Sequence, residues 1–572
     1  MFSFNLIDEK WIPCLMIPDG KKEELSIKET LFRSQVIKEI CDSSPLVTVA
    51  LHRLLLAMLH RNYGPANEEE WGALWKNGTG CLDQAKLGTY IAHWRARFDL
   101  FDDKYPFYQC ASMPVSITDS NGNKKPYFKS IANIVHELVT GNNATLFDHS
   151  LDIQPKSVSP SEAARLLVTF QAFAVVGLLT FEVGQDPKIF KSADNAPLVK
   201  GAVTMVQGTT LFQTLLLNLH KYNRLDAEPF QLESDDAPVW ERSDETLAMD
   251  RYPKGYLDLL TWQSRRVRLI PEYNSSGDCI VKQVVIMKGN QFPSGYSLHE
   301  REPMLAFRKV LKPNKGQDPW PALAFYENRA VWRNSLSLFQ SVAETSTKPK
   351  TLNWLYELSD AGKISWNDTR NLILSGLVSD RASIALWRQE RLPLPLAYLA
   401  EENENLLGAL KDALGLAEDV GKLLSLGFIK IEINDKKGKT IDKSSPSPLQ
   451  LLASNILEPE QPEKADKDTI KALIESLSPT RPYWAQLGVS FNELLLKLPQ
   501  DKIDDEYGKK VLPWWAKEIR HAAMDAFSEA TNSFDRTGRM LKAVTLAENE
   551  FQYRLFEMLK PYLKNKNEGG EK

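Results

Sequence analysis

Much that would simplify a functional reading is missing from this 572-residue chain. Its five cysteines (Cys14, Cys41, Cys81, Cys110, Cys279) are scattered and form no C-x-x-C pair. That excludes a disulfide frame and a zinc ribbon, and it fits a reducing compartment. No apolar run reaches the roughly 18 residues of a membrane span. The opening MFSFNLIDEKWIP lacks the basic and long apolar regions of a secretory signal, so a cytoplasmic location is expected. Charge of one sign is missing too: Lys+Arg 70 against Asp+Glu 74 leaves a formal net charge of −4. No global field then advertises nucleic acid or a membrane, and any polyanion site must be a local patch. There is no HExxH, GxSxG or P-loop, and no Asp/Glu cluster at metal-ligand spacing. With the eight histidines dispersed, the chain is expected to be noncatalytic, without metal or cofactor.

What is present is ordinary globular composition, 43% hydrophobic and 25% charged, at a length that suits two to four domains. Phe4 to Pro13 reads as an opening strand with a proline stop. Ser44-Pro45 opens a helix, LVTVALHRLLLAMLHR, that is apolar on most faces and therefore central and buried. His52 and His60 lie on it as core or rim residues rather than metal ligands, which need closer spacing or a cysteine nearby. The aromatics of Tyr90 to Gln109 (Trp94, Phe98, Phe101, Tyr105, Phe107, Tyr108) form either a core cluster or a base-stacking platform.

GNNATLFDH, from Gly141 to His149, begins a long polar connection running to Ser159. Compact domains keep such loops when they bind something. Ser159-Pro160-Ser161-Glu162 then predicts a capping box and a helix through ARLLVTFQAFAVV, with Gly177 as its stop. Arg251 to Ile270 is the most basic ordered segment. Arg265 and Arg266 beside Trp262 have the chemistry for phosphate contacts, or else are solvated charges on a strand edge. Cys279 to Lys288 alternates as a strand ending at the turn pair Gly289-Asn290. Lys288 is expected at the mouth of that hairpin, reaching into a groove or merely blocking strand pairing.

The pattern changes between Leu374 and Tyr398. Ser379 and Asp380 are natural N-caps for a short helical turn, Ala382 to Arg388, ended by Leu-Pro-Leu-Pro. Arg381 at its start is either a solvated charge or a group pushed into a partner. Beyond Pro395, five stretches show helical spacing: Leu406–Leu424, Asp468–Leu477, Tyr483–Leu498, Leu512–Ala530 and Gly538–Leu559. Short links suggest an up-and-down bundle, interrupted by the strand-like GFIKIEI. Asn434–Pro448 and Glu458–Asp468 read as charged, mobile linkers.

Seven of these stretches, in register, resemble one family: NLIDEKWIP, the SSPL helix, WRARFDLF with YPFYQ, LFDH, the QAF helix, LTWQSRR, and SDRAS with WRQERLPLP. The likeness, over residues 4 to 560, is to CasA, the large subunit of the type I-E CRISPR surveillance complex Cascade. It implies an α+β fold, with a large mixed N-terminal domain (1–390) carrying the loops that read the protospacer-adjacent motif (PAM). A C-terminal four-helix bundle (391–565) and a frayed tail (566–572) follow. It also implies a noncatalytic subunit that reads the PAM of double-stranded DNA from the minor groove and wedges the duplex open. The implied partners are guide RNA, the other Cascade subunits, double-stranded target DNA and a helicase–nuclease recruited after R-loop formation, with no membrane. Leu146, Phe147, Asp148 and His149 match the loop that touches the RNA handle beside the PAM. Lys288 matches the minor-groove lysine by its distance from Glu302-Pro303. Arg381 falls where relatives place a glutamine wedge, with Ser379, Asp380 and Ala382 around it. Gly177 to Gly184 maps loosely to a glycine-rich loop but has only two glycines, and the zinc-binding cysteines of some relatives are missing. The alternative is a structural scaffold that holds the complex without reading DNA.

Overall fold

The computed structural model describes residues 2–118, 124–135, 156–182, 185–222, 230, 236–243, 246–299, 301–314, 317–342, 345–380, 383–425, 428–434, 440–535 and 537–563. The chain forms two compact units, Met1–Leu392 and Pro393–Lys572, and both mix helix with strand.

The first unit is organised around the helix Pro45–Tyr63, buried from Pro45 through His60. A helix apolar all round has no face to give to water, so the rest of the unit packs about it. Ser44 occupies the N-cap position without a side-chain cap bond; its own N–H donates instead to Asp42 Oδ1 at 2.9 Å. His52 is a core residue, its Nδ1 2.7 Å from the Thr48 carbonyl, and burial lowers its pKa. His60 packs against His220 with ring centroids 4.7 Å apart and the rings tilted by 54°. From the same helix Arg53 makes a two-bond ion pair with Glu302, at 2.7 and 3.1 Å. Phe98, Phe101, Phe107 and Tyr108 are buried, with Phe98 5.2 Å from both Phe107 and Trp240. The aromatic stretch is core, which rules out a stacking platform built on these rings.

The opening strand begins later than the sequence suggests. Asn5 folds the chain into a turn, its Oδ1 accepting from Ile7 N–H and its carbonyl from Asp8 and Glu9. Such side-chain-to-backbone bonds compete with strand formation. The strand is Ile12–Met16, between Lys22–Leu25 and Ile37–Ile40. The helix Pro160–Phe173 keeps half of its expected capping box. Ser159 Oγ accepts from Glu162 N–H at 3.2 Å, while the Glu162 carboxylate pairs with Lys156 at 3.3 Å. It ends at Ala174 rather than Gly177.

Two of the three-stranded sheets carry residues singled out in the sequence. In one, Cys279–Lys288 lies between Arg265–Tyr273 and Lys129–Ser130. In the other, Thr369–Asp380 lies between Ser383–Pro395 and Val203–Gln207. The second sheet overturns the predicted turn of helix at 382–388. Leu372, Ile373, Leu374 and Leu377 are buried, and a Cβ on Gly376 would come 2.5 Å from the Gly201 carbonyl. Pairing with a strand far back in the chain outweighs the local N-cap preference of Ser379 and Asp380. Pro393 and Pro395 close an edge strand, where a missing N–H costs no central ladder bond.

In the second unit, the described residues hold six α-helices: Glu404–Leu423, Pro448–Leu457, Lys467–Leu477, Thr480–Lys497, Val511–Asn532 and Gly538–Leu563. Trp515 Nε1 donates to the Ala413 carbonyl at 2.9 Å and Tyr483 to that of Ala417 at 2.8 Å. Phe527 stacks on Phe551 at 4.3 Å. Leu541, within the helically spaced stretch Gly538–Leu559, is 53% exposed. The stretch read as a mobile linker after Asn434 contains the strand Thr440–Pro446, paired with Phe428–Asn434. Ser447 then caps the helix Pro448–Leu457, accepting from Gln450 N–H.

Candidate nucleic-acid interface

The two long strands of the first sheet pair from Arg265↔Lys288 to Tyr273↔Cys279. Their turn is therefore Asn274 to Asp278, not Gly289-Asn290. Asn274 N–H donates to the Asp278 carbonyl at 2.9 Å, and Gly277 takes a φ of +84°. Lys288 stands at the open end. Gly289 is needed there for another reason: a Cβ would come 2.6 Å from the Gln263 carbonyl and 2.7 Å from Arg265 N.

Three cations at this open end hold one excursion of the chain, residues 175 to 194. Arg265 is 1% exposed. Its guanidinium donates to the carbonyls of Ser264, Val175 and Asp194 at 2.8 to 2.9 Å. Burial pulls its pKa down to about 10, so it stays charged at neutral pH. This corrects the expectation of a phosphate contact at Arg265: its donors are committed to backbone oxygens inside the fold. Arg266, one residue on and hence on the opposite face, pairs through Nη1 with Glu182 Oε1 at 2.9 Å. Lys288 Nζ donates to the Ile189 carbonyl at 3.1 Å and lies 3.8 Å from Asp250 Oδ1. An ammonium carries three donors, so one carbonyl leaves it capacity for a further acceptor.

The excursion begins with Gly177-Leu178 paired to Ser192-Ala193. A Cβ on Gly177 would meet nothing within 4 Å, so sterics do not demand glycine there. Leu178 and Ile189 are 70% and 52% exposed, which puts apolar side chains in water on either arm.

The long polar connection is tied to the same strand. Before it, Lys129 and Ser130 pair with Val284 and Gln283. After it, Val158 exchanges both backbone hydrogen bonds with Val281, at 3.0 and 2.9 Å. The chain thus leaves and returns along one edge of the strand that ends in Lys288. Leu146, Phe147, Asp148 and His149, carried by that connection, lie outside the described residues. Arg381 and Ala382 lie outside them as well. Thr369–Asp380 and Ser383–Pro395 are neighbouring strands, so two residues link them. Ser379 and Asp380 are the last residues of the first strand.

Two more arginines of the basic segment are tied to partners within the fold. Arg251 makes a two-bond pair with Asp258 and sits 4.2 Å from the Trp262 ring centre. Arg268 donates to the Met113 carbonyl at 2.6 Å. Sequence reasoning missed Glu182, Ile189 and Asp250, the partners that define the cation cluster. Their only signal is position in the irregular stretches before the arginine run. Among the described residues no three His, Cys, Asp or Glu gather to hold a metal, and no helix is long and apolar enough to cross a membrane.

Residues 5–526 match the family of CRISPR-associated protein Cse1. The chain is 32% identical to CRISPR-associated protein CasA/Cse1 of Thermus thermophilus, across 97% of this chain and 98% of that protein. The crystal structure of Thermus thermophilus CasA superposes with a TM-score of 0.73 at 28% identity, covering 97% of this chain and all 100% of the other. A chain of a CRISPR RNA-guided surveillance complex shares the fold at a TM-score of 0.68 and 17% identity, over 96% of this chain and 99% of its own.

Proposed function

The chain belongs to the CRISPR-associated Cse1 (CasA) family, and from that premise we propose that it is the noncatalytic PAM-reading subunit of an RNA-guided type I-E surveillance complex. Lys288 enters the minor groove at the PAM, and Arg381 wedges the adjoining base pairs apart to start the R-loop. Leu146 to His149 meet the RNA handle beside them, and Ser379, Asp380, Ala382 and Gly177 border the duplex. The long helices of the second unit form the bundle that seats neighbouring subunits, and the opened complex recruits the helicase–nuclease.

One observation carries this reading: both ends of the connection bearing Leu146–His149 are anchored on the strand that ends in Lys288. The two roots lie on the strand whose last residue is a cation with donor capacity to spare. The physics suits a protein with little net charge. Minor-groove edges separate A·T from G·C and little else, so reading there tolerates several motifs. Sequence choice passes to guide-strand pairing, and the protein needs only to begin melting. Unstacking one step costs a few kcal/mol, offset by groove contacts and the first guide pairs. Weak nonspecific adhesion keeps the search fast, because phosphate neutralisation dominates nonspecific affinity.

The test is the Lys288→Ala/Arg381→Ala double variant in the complex assembled with guide RNA. PAM-dependent duplex binding is expected to disappear while assembly persists. Normal R-loops by footprinting in that variant would sink the reading and leave a scaffold.

A further inference from the structure

Lys288 takes its direction from two stretches of chain. The excursion gives it the Ile189 carbonyl, on the short helix Pro187–Phe190, at 3.1 Å. Residues 249–251 give it the Asp250 carboxylate at 3.8 Å. The lysine side chain is 14% exposed, a stem laid along the fold rather than a swinging charge. Its partners belong to the surface, with the Asp250 side chain 62% exposed and Ile189 52%. The ammonium is therefore only as fixed as those two stretches are.

Gln291 binds both of them. It lies three positions beyond Lys288 and is 5% exposed. Its main chain bridges the first stretch: Gln291 N–H donates to the Met249 carbonyl at 2.9 Å, and its carbonyl accepts from Arg251 N–H at 3.0 Å. Its side chain reaches the second, Oε1 accepting from Asp194 N–H at 2.6 Å. Nε2 donates to the Ser264 carbonyl at 3.1 Å and to that of Asn290 at 2.7 Å. Every polar group of the residue is engaged. A single amide orientation achieves this, because a flip sets Nε2 against a donor and Oε1 against two carbonyls. Asn290 N–H in turn donates to the Gln263 carbonyl at 2.9 Å, so the clamp is braced on the hairpin itself.

A second glutamine braces the same sheet, and its bonds lead elsewhere. Gln109 Nε2 donates to the Leu100 carbonyl at 2.7 Å, and its Oε1 accepts from Leu269 N–H at 2.7 Å. Gln109 joins one part of the scaffold to another. Gln291 joins the hairpin end to both partners of Lys288.

We propose that Gln291 is the positioning residue for Lys288: it holds both partners of the ammonium and so fixes, before DNA arrives, where the remaining donors point. This rests on the PAM-reading function above and adds the residue that sets its geometry. A mobile ammonium finds phosphate oxygens, which every sequence offers equally. A held one loses no further rotamer freedom at a base edge and cannot swing to the backbone. Loosening the clamp therefore trades preference for the PAM against sequence-independent contact.

The experiment has two readouts. On the isolated chain, an amine-acylating reagent labels Lys288 at a rate read by mass spectrometry against the other lysines. On the assembled, guide-loaded complex, affinities for PAM-bearing and PAM-free duplexes give a ratio that does not depend on the fraction of folded protein. Gln291→Met, similar in length but without the amide, is expected to speed labelling and to lower the ratio by roughly threefold to tenfold. Gln109→Met is expected to leave both readouts unchanged. Unchanged labelling or an unchanged ratio in Gln291→Met overturns the positioning role. An equal fall of the ratio in Gln109→Met also overturns it, as general loosening of the sheet. Where Gln291→Met does not fold, Asp250→Asn at the exposed carboxylate carries the test: faster labelling with a lower ratio is expected, and an unchanged ratio overturns the role. If the unaltered complex binds both duplexes equally, the PAM-reading function itself fails and takes this role with it; labelling on the isolated chain tells that failure apart from a failure of the clamp.

Discussion

The ion pairs around the central helix and the cations at the open end of the Arg265–Lys288 hairpin use the same chemistry to opposite ends. Around the helix the carboxylates of Glu302 and Asp258 are buried and doubly bonded, to Arg53 and Arg251. At the hairpin end the partners are a partly exposed glutamate, a carbonyl, and an aspartate 3.8 Å away that is 62% exposed. A buried pair cannot exchange partners without leaving a bare charge in low dielectric. An open pair can, because water covers the loss. The difference teaches which cations of a nearly neutral protein are available to a polyanion: those whose partners are themselves exposed.

The largest effect expected from this contrast is on stability. Glu302→Gln leaves the Arg53 guanidinium without its counter-charge at a site where the two side chains are 3% and 0% exposed. The cost is about 3–5 kcal/mol, the usual penalty for breaking a buried pair from one side. Glu182→Gln, chemically the same change, is expected to cost less than about 1 kcal/mol. Denaturant unfolding of the isolated chain compares them directly. Equal losses would erase the distinction between closed and open pairs.

Much of the scaffold is legible from the sequence, and the reason is periodicity. The helix Pro45–Tyr63 and five of the six α-helices from Glu404 onward announce themselves in spacings of three and four, which depend on neighbours within one turn; Pro448–Leu457 is the one not read. What is not legible depends on distant partners. Nothing local says that Gly376 packs on Gly201, so Ser379 and Asp380 pass for helix caps when they end a strand. Arg265 and Arg266 are adjacent and identical, and either suits a phosphate. They separate only because a strand alternates its faces: one meets carbonyls of residues 175 and 194, the other Glu182, 84 positions away. The basic run is visible, but its acids are not, since Glu182 and Glu302 belong to other segments. The same limit applies to Lys288. Its strand is readable, while its turn is misplaced, because hairpin register follows from pairing that the sequence does not print.

A second prediction sharpens the comparison by changing protonation. His220 is buried against His60 and Tyr256, with its Nδ1 2.9 Å from the Lys221 carbonyl and the charge of Lys350 nearby. Burial pushes its pKa down to about 4. A histidine whose pKa is lower folded than unfolded binds protons more readily when unfolded. Its contribution is therefore complete above the unfolded value near 6.5 and is lost as pH falls from there towards 4. The loss is of order 2–3 kcal/mol. It is read as a falling unfolding midpoint between pH 6.5 and 4 that flattens in His220→Gln. An identical acid slope in the variant would mean that the core tolerates the charge and is less closed than its ion pairs indicate.

The smallest expected change in stability belongs to the residue with the largest expected role. Lys288 and Arg265 are cross-strand partners on one face, yet their replacement by Met should separate cleanly. Arg265→Met strips donors from three carbonyls in the interior, and each buried acceptor left unmet costs about 1 kcal/mol or more. Lys288→Met gives up one bond to Ile189 and a long ion pair to an exposed aspartate, so unfolding of the isolated chain should shift by less than about 1 kcal/mol. In the assembled complex the order reverses. Lys288→Met should abolish preference for PAM-bearing duplex, whereas any effect of Arg265→Met should be matched by its loss of folded protein. If Lys288→Met proved as destabilising as Arg265→Met, the hairpin end would be one more closed cluster. The separation between cations that hold the fold and cations that wait for a ligand would then have no basis at the position where the function most needs it.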